Sequence, residues 1–354
     1  MRAALLSVAA LAICASPATA QIRFEDVTET HLPQSPAWNS MDVEVADLNG
    51  DGLLDLVAPQ EWLVNAVYFG EPGGRFRLGE GALEVLAEDE LALGPPQLNQ
   101  PGMGHDSEDV SISDFDGDGV LDLIIVTEDD VRFGRTGVHE YYRGAGDGRF
   151  TRVRGVLPDT EANAVAHADL NGDGAPDLLI VGAGQDRLLI NDGRGGFRDE
   201  TDWRLPREAA TGQDGEFADL DGDGDLDIVL GMEGGHALWL NDGQGRFTDA
   251  SRERLPAPGF VEARKVAPVD LDGDGDLDVV RADRPFITVW LNDGSGRFAD
   301  VTAQVLAGDV GAHVLAVELA DFDGDGLIDI YLGQLRTSQG SPDTRDRLLL
   351  QRRQ

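Results

Sequence analysis

The sequence predicts an all-β chain, a β-propeller of six four-stranded blades. Three observations support this: an aspartate motif that occurs six times, a glycine-rich turn that follows it, and short β-rich apolar runs between the two. In the first copy Asp47, Asn49, Asp51 and Asp55 stand at positions 1, 3, 5 and 9, with glycine at position 6. The same places hold Asp114, Asp116, Asp118 and Asp122, then Asp169, Asn171, Asp173 and Asp177, then Asp219, Asp221, Asp223 and Asp227. Asp270, Asp272, Asp274 and Asp278 make the fifth copy, and Asp321, Asp323, Asp325 and Asp329 the sixth. Successive first aspartates lie 67, 55, 50, 51 and 51 residues apart, a period at which each unit is one supersecondary element.

The turn reads Asn191, Asp192, Gly193 and onward to Phe197, and recurs from Asn241 to Phe247 and from Asn292 to Phe298; looser versions end at Phe76 and Phe150. Asparagine and glycine tolerate positive φ, so this is hairpin chemistry. Each repeat therefore reads strand, aspartate loop, strand, connection, strand, turn, strand, which is one blade. The last repeat runs out at Leu350 and Gln351, where its turn and fourth strand are due. Residues 22–28 match residues 297–302, the segment that closes the preceding repeat. The N-terminal strand is thus expected to complete the last blade and close the ring, removing the free edges of an open array. Phe76 to Asp114 is too long for a plain connection, which places an inserted loop near residues 80–103, rich in Pro95, Pro96, Pro101 and Gly102. Seven blades would need a blade without the motif inside this insert, which is too short for one.

Residues 1–20 have the layout of a secretory signal peptide: Arg2, an apolar alanine-rich run, and Ala18-Thr19-Ala20 before Gln21. The remainder, 21–354, reads as a single domain that is secreted, periplasmic or held at the cell surface. Cys14, the only cysteine, falls in the leader, so disulfides are not expected to brace the mature fold. No later stretch is apolar enough for membrane insertion. With 66 acidic against 28 basic residues and a formal charge of −38, the chain would be repelled by nucleic acid and by anionic membranes.

The acids point to a cation. Carboxylates about 4 Å apart repel by up to ~4 kcal/mol at an effective dielectric of ~20, so a loop that gathers several is built around a positive ion. All-oxygen donors on a flexible loop favour Ca²⁺ over zinc, copper or magnesium, about one ion per repeat. An EF-hand needs Glu at position 12; here Ala58, Ile125, Ile180, Leu230, Arg281 and Leu332 stand there, among β-rich residues. Asp225 and Asp276 fall at variable loop positions and read as solvated acids.

On these motifs the chain resembles the FG-GAP and VCBS-type repeats of integrin α-subunit propellers, bacterial exported proteins and some calcium-containing lectins, over nearly all of residues 22–354. Phe69-Gly70 is the nearest match to the name-giving dipeptide, and no Gly-Ala-Pro follows, so the likeness is to the bacterial branch. The resemblance implies that each aspartate loop joins the first two strands of a blade and carries Ca²⁺.

Function is expected away from those loops. The connections between second and third strands vary most between repeats, and Trp62, Arg132, Arg281, Asp283, Arg284 and Arg336 on them are candidate ligand contacts. Alternation along each first strand assigns Val43, Val110, Val165 and Val266 to packing. It sends Glu44, Glu216 and Glu318, with Asp42, Asp109, Asp214 and Lys265, to the central channel. Trp239 and Trp290 share one slot of consecutive repeats and read as blade core. No metalloprotease histidine pair, Gly-x-Ser-x-Gly or phosphate loop is present. The expectation is a binding or adhesion module for an extracellular glycan or protein rather than an enzyme. The alternatives are a lyase-like carbohydrate-active enzyme on the same scaffold and a purely structural assembly protein.

Overall fold

The computed structural model describes residues 23–33, 40–84, 103–207, 210–257, 263–271, 274–283, 286–302, 314–327, 329–334 and 347–352. The leader, residues 85–102 of the insert, Asp272, Arg284 and Arg336 lie outside these, as does the side chain of Asp283. No helix among the described residues is long and apolar enough to cross a membrane.

Strands dominate, and they pair antiparallel into five four-stranded sheets and one of five. β1 is Arg23–Asp26. The first sheet contains β2 (Glu44–Ala46), β3 (Asp55–Ala58), β5 (Ala66–Glu71) and β6 (Arg75–Leu78). Between β3 and β5 lies β4 (Glu61–Leu63), which leaves this sheet to pair with the early part of β7 (Met103–Ser113) in the next. There β7 is followed by β8 (Asp122–Thr127), β9 (Glu140–Gly144) and β10 (Phe150–Val153). The third sheet is β11 (Ala162–Ala168), β12 (Asp177–Gly182), β13 (Arg187–Asn191) and β14 (Phe197–Asp199). The fourth is β15 (Gly212–Ala218), β16 (Asp227–Met232), β17 (Gly235–Asn241) and β18 (Phe247–Asp249). The fifth is β19 (Ala263–Val269), β20 (Asp278–Asp283), β21 (Phe286–Asn292) and β22 (Phe298–Asp300).

The sixth sheet takes β23 (Val314–Ala320), β24 (Asp329–Gln334) and β25 (Arg347–Arg352) from the C-terminal end and its fourth strand from the N-terminus. β1 runs antiparallel to β25 with Phe24 opposite Gln351 and Asp26 opposite Leu349. The strand predicted from the match between residues 22–28 and 297–302 is thus where that match places it.

Apolar clusters lie between successive sheets. Val57, Phe69, Val110 and Leu123 join the first to the second, Phe115, Tyr141, Val165 and Leu178 the second to the third, and Leu179, Leu188, Leu230 and Trp239 the third to the fourth. Val229, Leu238, Val279 and Trp290 join the fourth to the fifth. One cluster combines Leu56, Tyr68 and Phe76 of the first sheet with Phe322, Tyr331 and Leu348 of the sixth, where Phe76 and Phe322 meet edge to face at 6.0 Å. Trp239 and Trp290 are buried in these layers, as their shared slot predicts. The whole is propeller-like, with first strands toward the middle: β7, β11, β15 and β19 contact one another in turn.

Turns of one sheet sit on the aspartate loop of the sheet before it. Asn191 Nδ2 donates to the Phe115 carbonyl at 2.9 Å, and Asn292 Nδ2 to the Leu220 carbonyl at 2.8 Å. A side chain at Gly74, in the first sheet's turn, would meet Asp323 Cβ of the sixth sheet's loop at 3.0 Å.

Candidate cation and ligand sites

The aspartate loops at Asp47, Asp114, Asp169, Asp219 and Asp321 are folded by their own carboxylates before any ion is considered. In the first copy Asp47 Oδ1 accepts from the Gly50 and Asp51 N–H groups and Oδ2 from Gly52 at 2.9 Å, while Asn49 and Asp51 accept from residues two further on. The same bonds recur at Asp114, Asp169 and Asp321. They curl the loop so that its side-chain oxygens share one side. One oxygen from each of Asp114, Asp116 and Asp122 lies within 4.8 Å of the others, and Asp219, Asp221 and Asp227 form an equivalent group, as do Asp321, Asp323 and Asp325. In the fourth loop Asp221 Oδ1 is buried without a hydrogen-bond partner, and Gly296 of the following sheet's turn packs over this residue.

Position 9 is different in kind. Asp227 is fully buried; its Oδ2 accepts from Leu220 N at 3.1 Å and its Oδ1 from Asn241 N at 2.9 Å, so it ties the loop to the third strand. Asp55, Asp122, Asp177 and Asp278 make the same pair of bonds. Burial pushes Asp55, Asp122, Asp177 and Asp227 up to about 6 in the ion-free chain, against the pull of those N–H donors. The first-sheet partner of this bond is Gly70, where any side chain would strike the Leu54 carbonyl at 2.3 Å, a physical reason for the Phe-Gly pair.

The predicted channel residues do meet. Lys265 Nζ lies 2.9 Å from Asp42 Oδ2 and 3.6 Å from Asp214 Oδ1. Burial opposes its charge, yet Asp214, Asp42, Asp109 and Glu216 around it hold its pKa well above the ordinary lysine range. Burial, then neighbouring acids, push Glu216 up to about 8 and Glu318 up to about 7, and Glu44 well above the usual carboxylate range. Asp109 and Asp214 also have a role not read from the sequence: each accepts the backbone N–H of the next sheet's packing valine, Val165 at 2.8 Å and Val266 at 2.6 Å. They staple neighbouring first strands together.

Every long first strand slips register at one place, between Ser107 and Asp109, Ala162 and Ala164, Gly212 and Asp214, Ala263 and Lys265, and Val314 and Ala316. Such bulges re-aim a side chain. Glu108, Asn163, Gln213 and Arg264, skipped at the first four of these five slips, all line a cavity of about 30 Å³ beside Asp42 and Lys265. Glu108 belongs to a further acidic group with Asp106 and Glu128, again with one oxygen of each within 4.8 Å of the others. This group was missed in the sequence because strict alternation hides a bulge. The available signal is the contrast between the varied residues six places before each first aspartate and the constant motif after them.

The ligand-contact candidates scatter. Arg132 is half-exposed and pairs with Asp129 and with Glu161 Oε2, the latter at 2.8 Å, beside a groove of about 340 Å³ lined by Thr160, Gln185 and Arg187. Trp62 is half-buried, with Arg135 5.7 Å above its ring and φ at +58°, the sole positive φ outside glycine among the described residues. Arg135 in turn joins His105, Glu140, Tyr142 and Asn65 in a largely buried polar chain that the sequence did not suggest. Arg281 is 2% exposed, bonded to His236 at 2.8 Å and 4.1 Å from the Trp290 ring, so it is placed inside the sheets. His167, expected to be structural, packs edge-on to Phe115 and bonds Ser111 at 2.6 Å, and burial lowers its pKa.

The model of the FG-GAP-like repeat matches four successive, overlapping stretches, residues 114–180, 169–230, 219–281 and 270–332. No curated protein matches the chain. Similar solved structures include an Agrocybe aegerita lectin described as recognising non-reducing terminal N-acetylglucosamine, at 23% identity and TM-score 0.48, covering 74% of this chain and 65% of the lectin. The Photorhabdus luminescens Tc holotoxin pore is 22% identical with TM-score 0.47, over 94% of this chain and 14% of the toxin chain. BBS1N, solved in complex with ARL6DN, is 12% identical with TM-score 0.46, over 90% of this chain and 93% of its own.

Proposed function

Because this chain belongs to the FG-GAP-like repeat family, we propose that it is an exported, calcium-loaded propeller that acts as a binding or adhesion module for an extracellular glycan or protein. The observation that carries the calcium reading is the fourth aspartate loop. Asp219, Asp221 and Asp227 converge there, and a buried Asp221 oxygen has no hydrogen-bond partner, which leaves its lone pairs for a hard cation to coordinate. Six such sites would make rigid corners of acid clusters and take the place of disulfides. A closed ring of six blades is part of the proposal, supported by the β1–β25 pairing, the apolar cluster shared by the first and sixth sheets, and the contacts of β23 with both β19 and β2.

The ligand face belongs at the end of the sheets away from the loops, where Trp62, Arg132 and the groove beside Arg187 lie on second-to-third strand connections. Arg284, Arg336 and Asp283 remain candidates there. Stripped protein should bind calcium in elemental analysis and melt higher in millimolar Ca²⁺ than in chelator. At ten times Kd each site contributes ~1.4 kcal/mol. An unchanged melting temperature and no bound calcium would reject the calcium reading. Glycan and protein arrays probed with and without Ca²⁺ test the binding role, which fails if the chain captures nothing in either condition.

A further inference from the structure

We propose that Asn49 and Asn171 are self-modifying sites, at which the side-chain amide is converted to aspartate through a cyclic imide formed with the following glycine. The modification goes beyond the binding reading and does not depend on calcium. No other asparagine in the sequence precedes glycine, the residue whose missing Cβ leaves its nitrogen open to attack the side-chain carbonyl. Both pairs sit at the surface: Gly50, Asn171 and Gly172 are exposed and Asn49 is half-buried. Gly50 and Gly172 take φ of +75° and +74°, and a Cβ built on either would meet nothing within 4 Å, so water reaches the reacting atoms.

The loop holds the reacting groups as a catalyst would. The Gly50 N–H, the nucleophile, points its proton at Asp47 Oδ1 at 2.8 Å, and Asn49 Oδ1, the oxygen that gains charge on attack, accepts the Asp51 N–H at 2.9 Å. The third loop repeats both contacts, Gly172 N–H to Asp169 Oδ1 at 2.8 Å and Asp173 N–H to Asn171 Oδ1 at 2.9 Å. The leaving nitrogen sets these two apart as well. Asn65, Asn163, Asn191, Asn241 and Asn292 each donate Nδ2 to a carbonyl or carboxylate oxygen, whereas Nδ2 of Asn49 and of Asn171 donates to nothing among the described residues. In the step, the glycine nitrogen bonds the asparagine Cγ and the Cγ–Nδ2 bond breaks; the glycine proton leaves by way of the aspartate oxygen and departs with Nδ2 as ammonia. Water then adds to one imide carbonyl and reopens the ring as aspartate or, at the other carbonyl, as isoaspartate. The aspartate product gives both loops the residue that Asp116, Asp221, Asp272 and Asp323 supply at position 3 of the other four.

The test is peptide mass mapping of the full chain aged in calcium-free, mildly alkaline buffer in which its β-sheet circular dichroism persists, alongside the same chain unfolded in urea. In the folded chain Asn49 and Asn171 should convert at least as fast as in urea, with ammonia released, while Asn191, Asn241 and Asn292 stay amides. A loop that merely carries a labile dipeptide would slow the reaction on folding, so a folded rate below the urea rate overturns the proposal. Equal conversion at the tied amides does so too. Gly172→Ala, which puts a Cβ beside the attacking nitrogen, should lose conversion at Asn171 and keep it at Asn49 in the same chain; unchanged conversion at Asn171 overturns the proposal. If Gly172→Ala does not fold, Gly50→Ala decides by the same comparison with the two sites exchanged.

Discussion

Asp223 and Asp227 belong to one motif but do separate work. Asp223 at position 5 accepts, among the described residues, only the Asp225 N–H, at 3.0 Å, on an exposed loop. Asp227 at position 9 holds two backbone donors from inside the sheet. Asp223→Ala is therefore expected to melt like the parent in chelator and to lose part of the calcium-dependent rise. Asp227→Ala should lose about 3 kcal/mol with or without calcium, since it strands two N–H groups that a charged acceptor had satisfied. Denaturant unfolding of both variants in both conditions separates the roles; equal behaviour in chelator would refute the division. The motif was fully legible as a spacing, but which of its acids folds the loop and which faces outward was not. That depends on where the third strand's N–H groups arrive.

At the scale of the strand, acids on the inner strands make stability fall as pH rises. Glu216 on β15 holds its proton up to about pH 8, against an ordinary value of 4.5, because burial and Asp214 disfavour its charge. The folded state thus binds more protons than the unfolded state between those values, and stability declines as pH climbs through that window. Glu216→Gln removes the penalty. Its melting temperature should exceed the parent's by about 2 to 4 °C at pH 8 and match it near pH 5, read by thermal denaturation at the two pH values. A shift of equal size at both would show that packing, not ionisation, is responsible. Asn292 acts at the same scale by bonding its own sheet at Leu277 and the neighbouring one at Leu220. Asn292→Ala is expected to cost about 2 kcal/mol in denaturant unfolding.

Across the whole molecule, the ends of the chain share one sheet. Deleting residues 22–28 strips β25 of its partner along Arg23 to Asp26 and removes Val27 from the cluster joining the first and sixth sheets. It should expose a strand edge and lower the melting temperature far more than deleting residues 353–354, with a gain in aggregation seen by light scattering. Equal effects of the two truncations would count against closure through the N-terminal strand.

The sequence by itself determined the repeat, its period, the order of strands within a unit, the aspartate loops and the strand exchanged between the ends. These follow from local chemistry, turn residues and period-2 patterning, repeated often enough to be read by comparing copies. It also identified the acids and the lysine that meet near Lys265, since alternation carries that information. Only the tertiary structure decided that Arg281 is enclosed by His236 and Trp290, and that Asp109 and Asp214 clasp the next sheet's backbone. It alone showed that Glu108 turns toward Asp106 and Glu128. A slip of one residue reverses the side to which a side chain points, and whether a carboxylate finds an N–H depends on the neighbouring sheet, which lies about fifty residues away in the chain.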